Sequence, residues 1–412
     1  MQRKRQAGDD AAANLDGRVV TAASSYQVGI LGQPNGQDTP MIALLRERLA
    51  DLGIDAASVS ILAESDVGSR DRKRPFIGIF FGYHGAIDAG HPILTDLIDD
   101  SVVLIPTVGD LRSVSAFIPP KLHHINCFEL SGSTQVAERL TSLLLENFRL
   151  LRPDRRLFIS YRRTEVQRIA IQIYEKLDAL GFDVFLDTRG VPPAKDFQSV
   201  LWHRLADSDV VVLLDTPGFR ESRWTREELA RANATSIQIL HVLWPTATPD
   251  DTSAFSEFHA LRADDFVDAN QIGEQALLTN EKVDDIGAAA ESLRARALSA
   301  RHRYLVDNFC DQARALGATA TVQSDRFISL ELAADKTIAV VPAIGVPNAT
   351  RYQEIEAAIE SAKLDFFKIW LLYDERGILE NWLGHVDWLN KHLPLSAVRV
   401  TDTTTRIREE TQ

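Results

Sequence analysis

The sequence predicts a multidomain α/β protein built largely on parallel sheets. Three observations carry that expectation. The chain has 412 residues, enough for two to three domains at about 150 residues each. Strand-like apolar runs alternate with helical periodicity from Tyr26 to Val400, the pattern of stacked α/β layers. The composition, 45% hydrophobic and 25% charged, is globular and excludes wholesale disorder or a fibrous repeat.

Residues 1–25 are small and polar and are expected to form a disordered tail. The first unit, 26–151, reads as a Rossmann-like domain. Val28–Leu31 is a short strand, and Asp38-Thr39-Pro40 suits a helix entry, with Pro favoured at the first helical position. Leu44, Leu45, Leu49 and Leu52 are expected to stripe that helix. Phe76–Phe81 and Val102–Ile105 read as buried strands, and Val136–Phe148 as a closing helix.

The middle unit, 152–285, repeats the rhythm. Phe158–Tyr161 is a strand. Val166, Ile169, Ala170, Ile173 and Leu177 follow at helical spacing until Gly181 stops the helix. Phe182–Leu186, Val210–Leu214 and Ile237–Leu243 are further buried strands, with an amphipathic helix around Phe197–Leu205. Continuous apolar strands separated by helices predict a parallel sheet covered on both faces. The last unit, 286–412, reads as a helical connector, within a stretch from Val283 to Leu316, and a small α/β domain. There Leu379, Trp382, Leu383, Val386 and Leu389 stripe a helix. Trp388 faces away from that stripe and is expected to contact a neighbouring domain.

Charge and cysteine content narrow the function. Lys plus Arg number 45 against 58 Asp plus Glu, a net charge of −13, which argues against nucleic acid as a partner. Cys127 and Cys310 cannot build a disulfide framework or a cysteine zinc site, so no metal is expected. No apolar run approaches the roughly 20 residues that cross a bilayer. A soluble, cytoplasmic protein without a membrane partner is the expectation.

One set of motifs in the middle unit is specific. Phe158-Ile159-Ser160-Tyr161-Arg162-Arg163 is followed by Gly181-Phe182-Asp183-Val184-Phe185-Leu186-Asp187. Ser222-Arg223-Trp224-Thr225-Arg226-Glu227-Glu228-Leu229 comes third. In this order and spacing they resemble a Toll/interleukin-1 receptor (TIR) domain: its first-strand box, its second strand leading to the BB loop, and its Trp-x-x-x-Glu motif. The resemblance implies a flavodoxin-like fold for this third of the chain. It also implies either a module that assembles with other TIR domains or a bacterial-type enzyme that cleaves NAD⁺ in defence.

On the enzymatic branch NAD⁺ is the substrate, no cofactor is needed, and the catalytic carboxylate is Glu228. Ser160, Arg162, Arg163, Asp187 and Trp224 are then the expected substrate-binding residues, and Thr188–Lys195 corresponds to the loop of self-association. The flanking units would bind a trigger and hold the enzyme in check. The first unit, whose strand–helix rhythm also resembles a TIR domain, lacks a Trp-x-x-x-Glu motif and is expected to be inactive.

A structural reading stands beside each of these. Thr225-x-x-Glu228 is a capping-box pattern, and Trp224 with Leu229 fits a hydrophobic staple around the same cap. Arg162 and Arg163 suit solvated loop charges, Asp187 a turn, and Ser160 a buried strand position. Gly82-Tyr83-His84-Gly85 lacks a phosphate-binding signature and reads as a turn. Glu331, Asp335 and Lys336 are too loosely spaced to suggest a nuclease.

Overall fold

The computed structural model describes residues 26–52, 54–72, 74–87, 91–130, 136–186, 203–219, 237–247, 256–270, 272–323, 327–332, 336–361 and 366–411. Three five-stranded sheets stand among them. The first comprises β1 (Tyr26–Gly32), β2 (Val59–Ala63), β3 (Phe76–Phe81), β4 (Val103–Val108) and β5 (Phe128–Glu129). All its pairings are parallel, in the order β2-β1-β3-β4-β5. Helices α1 (Asp38–Asp51), α2 (Pro92–Asp99), α3 (Val114–Phe117) and α4 (Val136–Asn147) belong to this unit.

Alternation along the strands sends Val28, Ile77 and Ile79 to α1 and α4, where Met41, Leu45, Leu49 and Leu144 meet them. Leu31, Phe80 and Leu104 point to the other face, against Leu94 and Leu97 of α2. The stripe on α1 therefore runs through Met41, Leu45 and Leu49, one face of successive i, i+4 steps, while Leu44 is half-buried. The helix starts at Asp38, so Pro40 is in its first turn but not at its first position.

The middle sheet holds β6 (Arg156–Ser160), β7 (Asp183–Leu186), β8 (Val210–Asp215), β9 (Gln238–Leu243) and β10 (Ser256–Ala260). It is also parallel throughout, in the order β10-β9-β8-β6-β7. Counted within its own unit, each of these two sheets has the order 2-1-3-4-5, the flavodoxin-like arrangement. Helix α5 (Arg163–Ala179) lays Val166, Ile169, Ile173 and Leu177 on Leu157, Ile159, Val210 and Val212. Gly181 (φ +83°) turns the chain out of α5 in the left-handed conformation that suits glycine.

Helix α6 (Asn280–Ala315) follows, opened by Thr279, whose side chain accepts a bond from the Lys282 N–H. Its 36 residues run about 54 Å at 1.5 Å per residue. Val283, Ile286, Ala290 and Leu293 complete the middle core. Ala295 and Leu298 enter the first core, and Leu305, Val306, Phe309 and Ala313 the third. The stretch read as a connector is thus a structural member of all three units.

The third sheet is mixed. β11 (Thr319–Val322), β12 (Ile328–Leu332) and β13 (Lys336–Pro342) form an antiparallel meander, and β14 (Lys368–Tyr373) and β15 (Ser396–Arg399) extend it in parallel. Helices α7 (Ala349–Ser361) and α8 (Glu380–His392) cover one face. α6 and α9 (Thr403–Thr411) cover the other. Glu331, on β12, is exposed.

The three units meet in a buried ionic junction at the N-terminal edge of the middle sheet. Arg294 of α6 is fully buried; its Nε donates to Asp209 (2.8 Å), its Nη1 to Glu146 of α4 (2.6 Å) and its Nη2 to the Arg152 carbonyl (2.7 Å). Arg152 Nε donates to the other Asp209 oxygen at 2.6 Å. Arg155 pairs with Glu146 and with Glu291 of α6. Burial pushes the Asp209 carboxyl up, but Arg152 and Arg294 outweigh it and hold the group below its ordinary value. Removing one partner from such a pair typically costs about 3–5 kcal/mol, because the other charge stays buried.

Among the described residues, Trp388 does not make the expected domain contact. It is 54% exposed, flanked on its own helix by the rings of His385 and His392. The bridging ring is Trp382, which stacks on His203 of the middle unit at 3.9 Å and 9°. The two tryptophans are six positions apart, about 120° away from one another on the barrel of an α-helix, so one faces the middle unit while the other faces solvent.

Burial, with Arg204 and Arg156 nearby, pushes the His203 imidazole down to about 4 from an ordinary 6.5. The folded state thus prefers neutral His203. Its contribution to stability is complete above the ordinary value and is lost as pH falls towards the folded one. Wild type is expected to lose more melting temperature over that interval than His203→Phe, which keeps a ring for stacking and cannot protonate. Superimposable pH profiles of the two proteins would refute this.

Candidate active site

The C-terminal edge of the middle sheet is where an open α/β sheet of this order places ligands, and its switch point lies between β6 and β8. β6 ends there at Ser160, which is buried and in register with Leu213 of β8. Tyr161 is buried behind it. Arg162, in extended conformation (φ −89°, ψ 111°), leads into α5, and Arg163 is the first residue of that helix and exposed. The backbone leaves helical geometry at Val166 (φ −142°, ψ 31°). The first turn carrying Arg163 is therefore set apart from the rest of α5.

Arg162 ties two loops of this edge together. Its Nη1 donates to Glu165 Oε1 at 2.9 Å and to the Gly218 carbonyl, in the loop after β8, at 2.8 Å. A Cβ on residue 218 would lie 1.9 Å from Glu165 Oε1 and 2.1 Å from Arg162 Nη1. A side chain at 218 would displace the tips of this pair from the loop. The arginine side chain is 41% exposed, so it presents a cationic surface while being held in place.

Of the residues expected to form the site, Ser160, Arg162 and Arg163 are thus on one loop edge. Asp187, Trp224 and Glu228 lie outside the described residues, as does Thr188–Lys195. Among the described residues no group of three His, Cys, Asp or Glu side chains is arranged to hold a metal ion.

A second polar feature escaped the sequence reading. Asp215, at the end of β8, and His241, within β9, are both buried. His241 Nδ1 is 3.4 Å from Asp215 Oδ2, and its Nε2 is 3.1 Å from Ser256 Oγ on β10. Phe258 stacks on the ring at 4.7 Å. Both nitrogens are engaged, so the imidazole is fixed across three strands on the sheet face that also carries Leu213 and Ile239. A polar residue inside each of two otherwise apolar runs, Val210–Asp215 and Gln238–Leu243, was the available signal.

A doubly wound α/β unit with a basic loop at its ligand edge is the class this geometry defines. Residues 157–277 match the family model described as TIR domain, and the middle third of the chain is a TIR domain. A comparison with curated proteins found no match. Among solved structures, tagatose-6-phosphate ketose/aldose isomerase from Escherichia coli aligns over 68% of this chain and 83% of its own. It does so at 13% identity and a TM-score of 0.19, a likeness that carries no argument. Among the described residues, no helix is long and apolar enough to cross a membrane.

Proposed function

We propose that the chain is an NAD⁺ glycohydrolase whose TIR domain cleaves the nicotinamide–ribose bond, with Glu228 as the catalytic carboxylate. It acts as a defence effector activated by assembly. The TIR match over 157–277 supports this reading, with the Trp224-x-x-x-Glu228 motif falling inside that span.

The chemistry needs one acid. Nicotinamide is a pyridinium in NAD⁺ and leaves as a neutral ring, so no group has to protonate it. Ordinary glycosidases need a second carboxyl group for that step. What remains is a positive ribosyl oxocarbenium, which a carboxylate beside the ribose hydroxyls stabilises. Trp224 would wall the pocket. Arg162 and Arg163, on the ligand edge, suit the pyrophosphate.

Purified full-length protein incubated with NAD⁺ tests the reading, with products separated at several protein concentrations. Nicotinamide with ADP-ribose is the expected result, and specific activity is expected to rise with concentration. Nicotinamide with a cyclic product would assign a synthase. Absence of nicotinamide even when the chains are clustered would leave the non-enzymatic scaffold.

A further inference from the structure

The first sheet has a switch point of its own at its C-terminal edge, outside the TIR domain. In the order β2-β1-β3-β4-β5 it lies between β1 and β3. Helix α1, after β1, covers one face of the sheet and α2, after β3, the other. The loops leaving these two strands therefore diverge and open a crevice, the place where such sheets bind ligands. Three titratable side chains gather there.

Glu64 directly follows β2. The N–H of Gly32, the last residue of β1, donates to its Oε2 at 2.8 Å. Gly32 has φ +74°, and a Cβ there would lie 2.2 Å from the Phe81 carbonyl oxygen of β3. Glycine is what brings this N–H to the edge. His91 is buried in the left-handed conformation (φ 33°, ψ 64°), its ring edge-on to Phe80 at 5.1 Å. Its Nδ1 is 3.9 Å from Glu64 Oε1, and its Nε2 is 3.4 Å from the Tyr83 hydroxyl. Tyr83 belongs to the Gly82–Gly85 turn, where the Gly82 N–H donates to the Thr107 carbonyl at 2.8 Å and the Tyr83 N–H to the Phe117 carbonyl at 3.2 Å. A non-glycine residue held at such a backbone angle is a feature that concentrates at binding sites.

The chemistry of the cluster selects its ligand. The Glu64 side chain is 41% exposed, and among the described residues it has no Lys or Arg partner. Arg70, six positions on, is paired with Asp96 and Asp100. An accessible carboxylate without a neighbouring cation repels anions and accepts hydroxyl protons, and its two oxygens can take two from adjacent carbons. Tyr83 and exposed His84, the latter edge-on to Phe117 at 6.1 Å, place aromatic rings beside it. A vicinal diol next to a planar ring describes a ribonucleoside.

We propose that the first unit binds a ribonucleoside, with Glu64 accepting from its 2′- and 3′-hydroxyls. His91, backed by Tyr83, is a positioning residue that orients the carboxylate. The site is separate from the TIR edge, and the proposal stands whether or not the TIR domain cleaves NAD⁺.

Isothermal titration of the full-length protein with adenosine and with uridine tests it. At least one is expected to bind, and its 2′-deoxy counterpart about tenfold more weakly, the scale of one hydrogen bond to a charged group. Glu64→Gln should weaken the ribonucleoside about tenfold and narrow its advantage over the deoxy form. A merely structural role of Glu64 would not produce that coupling. Tyr83→Phe should weaken binding about threefold, and Arg162→Ala, in the TIR domain, should change nothing.

No binding of either nucleoside at millimolar concentration would overturn the proposal, as would equal affinity for the deoxy form or unaltered binding by Glu64→Gln. Loss of binding in Arg162→Ala would overturn it by moving the nucleoside to the TIR edge. Free ribose binding as tightly as the nucleosides would refute the nucleoside assignment. The Gln amide oxygen still accepts from the Gly32 N–H, so the fold should persist. Should the melting temperature of Glu64→Gln fall sharply, Tyr83→Phe and the deoxy comparison on wild type decide the question.

Discussion

Replacement of Glu228 by Gln is expected to lower NAD⁺ cleavage about a hundredfold or more, the scale seen when a preorganised electrostatic group is removed from a transition state. The amide keeps the size of the side chain and its ability to accept a bond from the helix-cap N–H. It lacks the full negative charge that opposes the oxocarbenium. The fold should therefore persist, with a melting temperature close to that of wild type. Glu227→Gln should leave activity near wild type, since neighbouring helical positions point about 100° apart. Undiminished activity of the Glu228 variant would remove Glu228 from the catalytic role. A large loss of melting temperature with activity retained would instead make Glu228 the capping residue that Thr225-x-x-Glu228 also describes.

The strands that show clearly in the sequence are those buried on both faces. Val210–Asp215 is buried at every position, so its apolar run has no interruption until the final aspartate. Edge strands are harder to see. β10 (Ser256–Ala260) pairs on one side and has only exposed and half-buried residues, so its sequence, SEFHA, looks like loop. β5 has two residues. The span of α6 was legible from its long helical stretch, but not its role. Its buried side turns from one core to the next, and buried Glu291 and Arg294 interrupt every apolar stripe on it.

The candidate site divides in the same way. The order Ser160, Arg162, Arg163 is local, so a motif captures it. The Asp215–His241–Ser256 arrangement depends on β8, β9 and β10 lying side by side in a particular register, and no local spacing encodes that. The same holds for the Trp382–His203 contact. Helical phase correctly separated Trp388 from the apolar face, but it could not tell which of two tryptophans a neighbouring unit would meet.

A TIR fragment cut at Val283, 152–283, is expected not to fold cooperatively, whereas 152–300 should. The shorter fragment loses Ile286, Ala290 and Leu293, which are buried in the middle core. Burial of a leucine or isoleucine stabilises by about 1.5–3 kcal/mol, so the apolar loss alone approaches 4–6 kcal/mol. A domain of this size has about 5–15 kcal/mol in all. The cut also removes Arg294 and leaves fully buried Asp209 with Arg152 as its remaining cationic partner in the junction. Loss of one of its two guanidinium partners adds a further penalty for that carboxylate. Residues 284–300 restore both the apolar face and the guanidinium, at the expense of exposing Ala295 and Leu298, which belong to the first core. Thermal unfolding followed by circular dichroism distinguishes the fragments. A sharp transition for 152–283 within a few degrees of that for 152–300 would show that α6 only leans on the TIR sheet. A TIR domain that needs this helix cannot be liberated intact from its neighbours by proteolysis in the segment before it. On the assembly-activated reading proposed above, activation then keeps α6 in place on the TIR sheet.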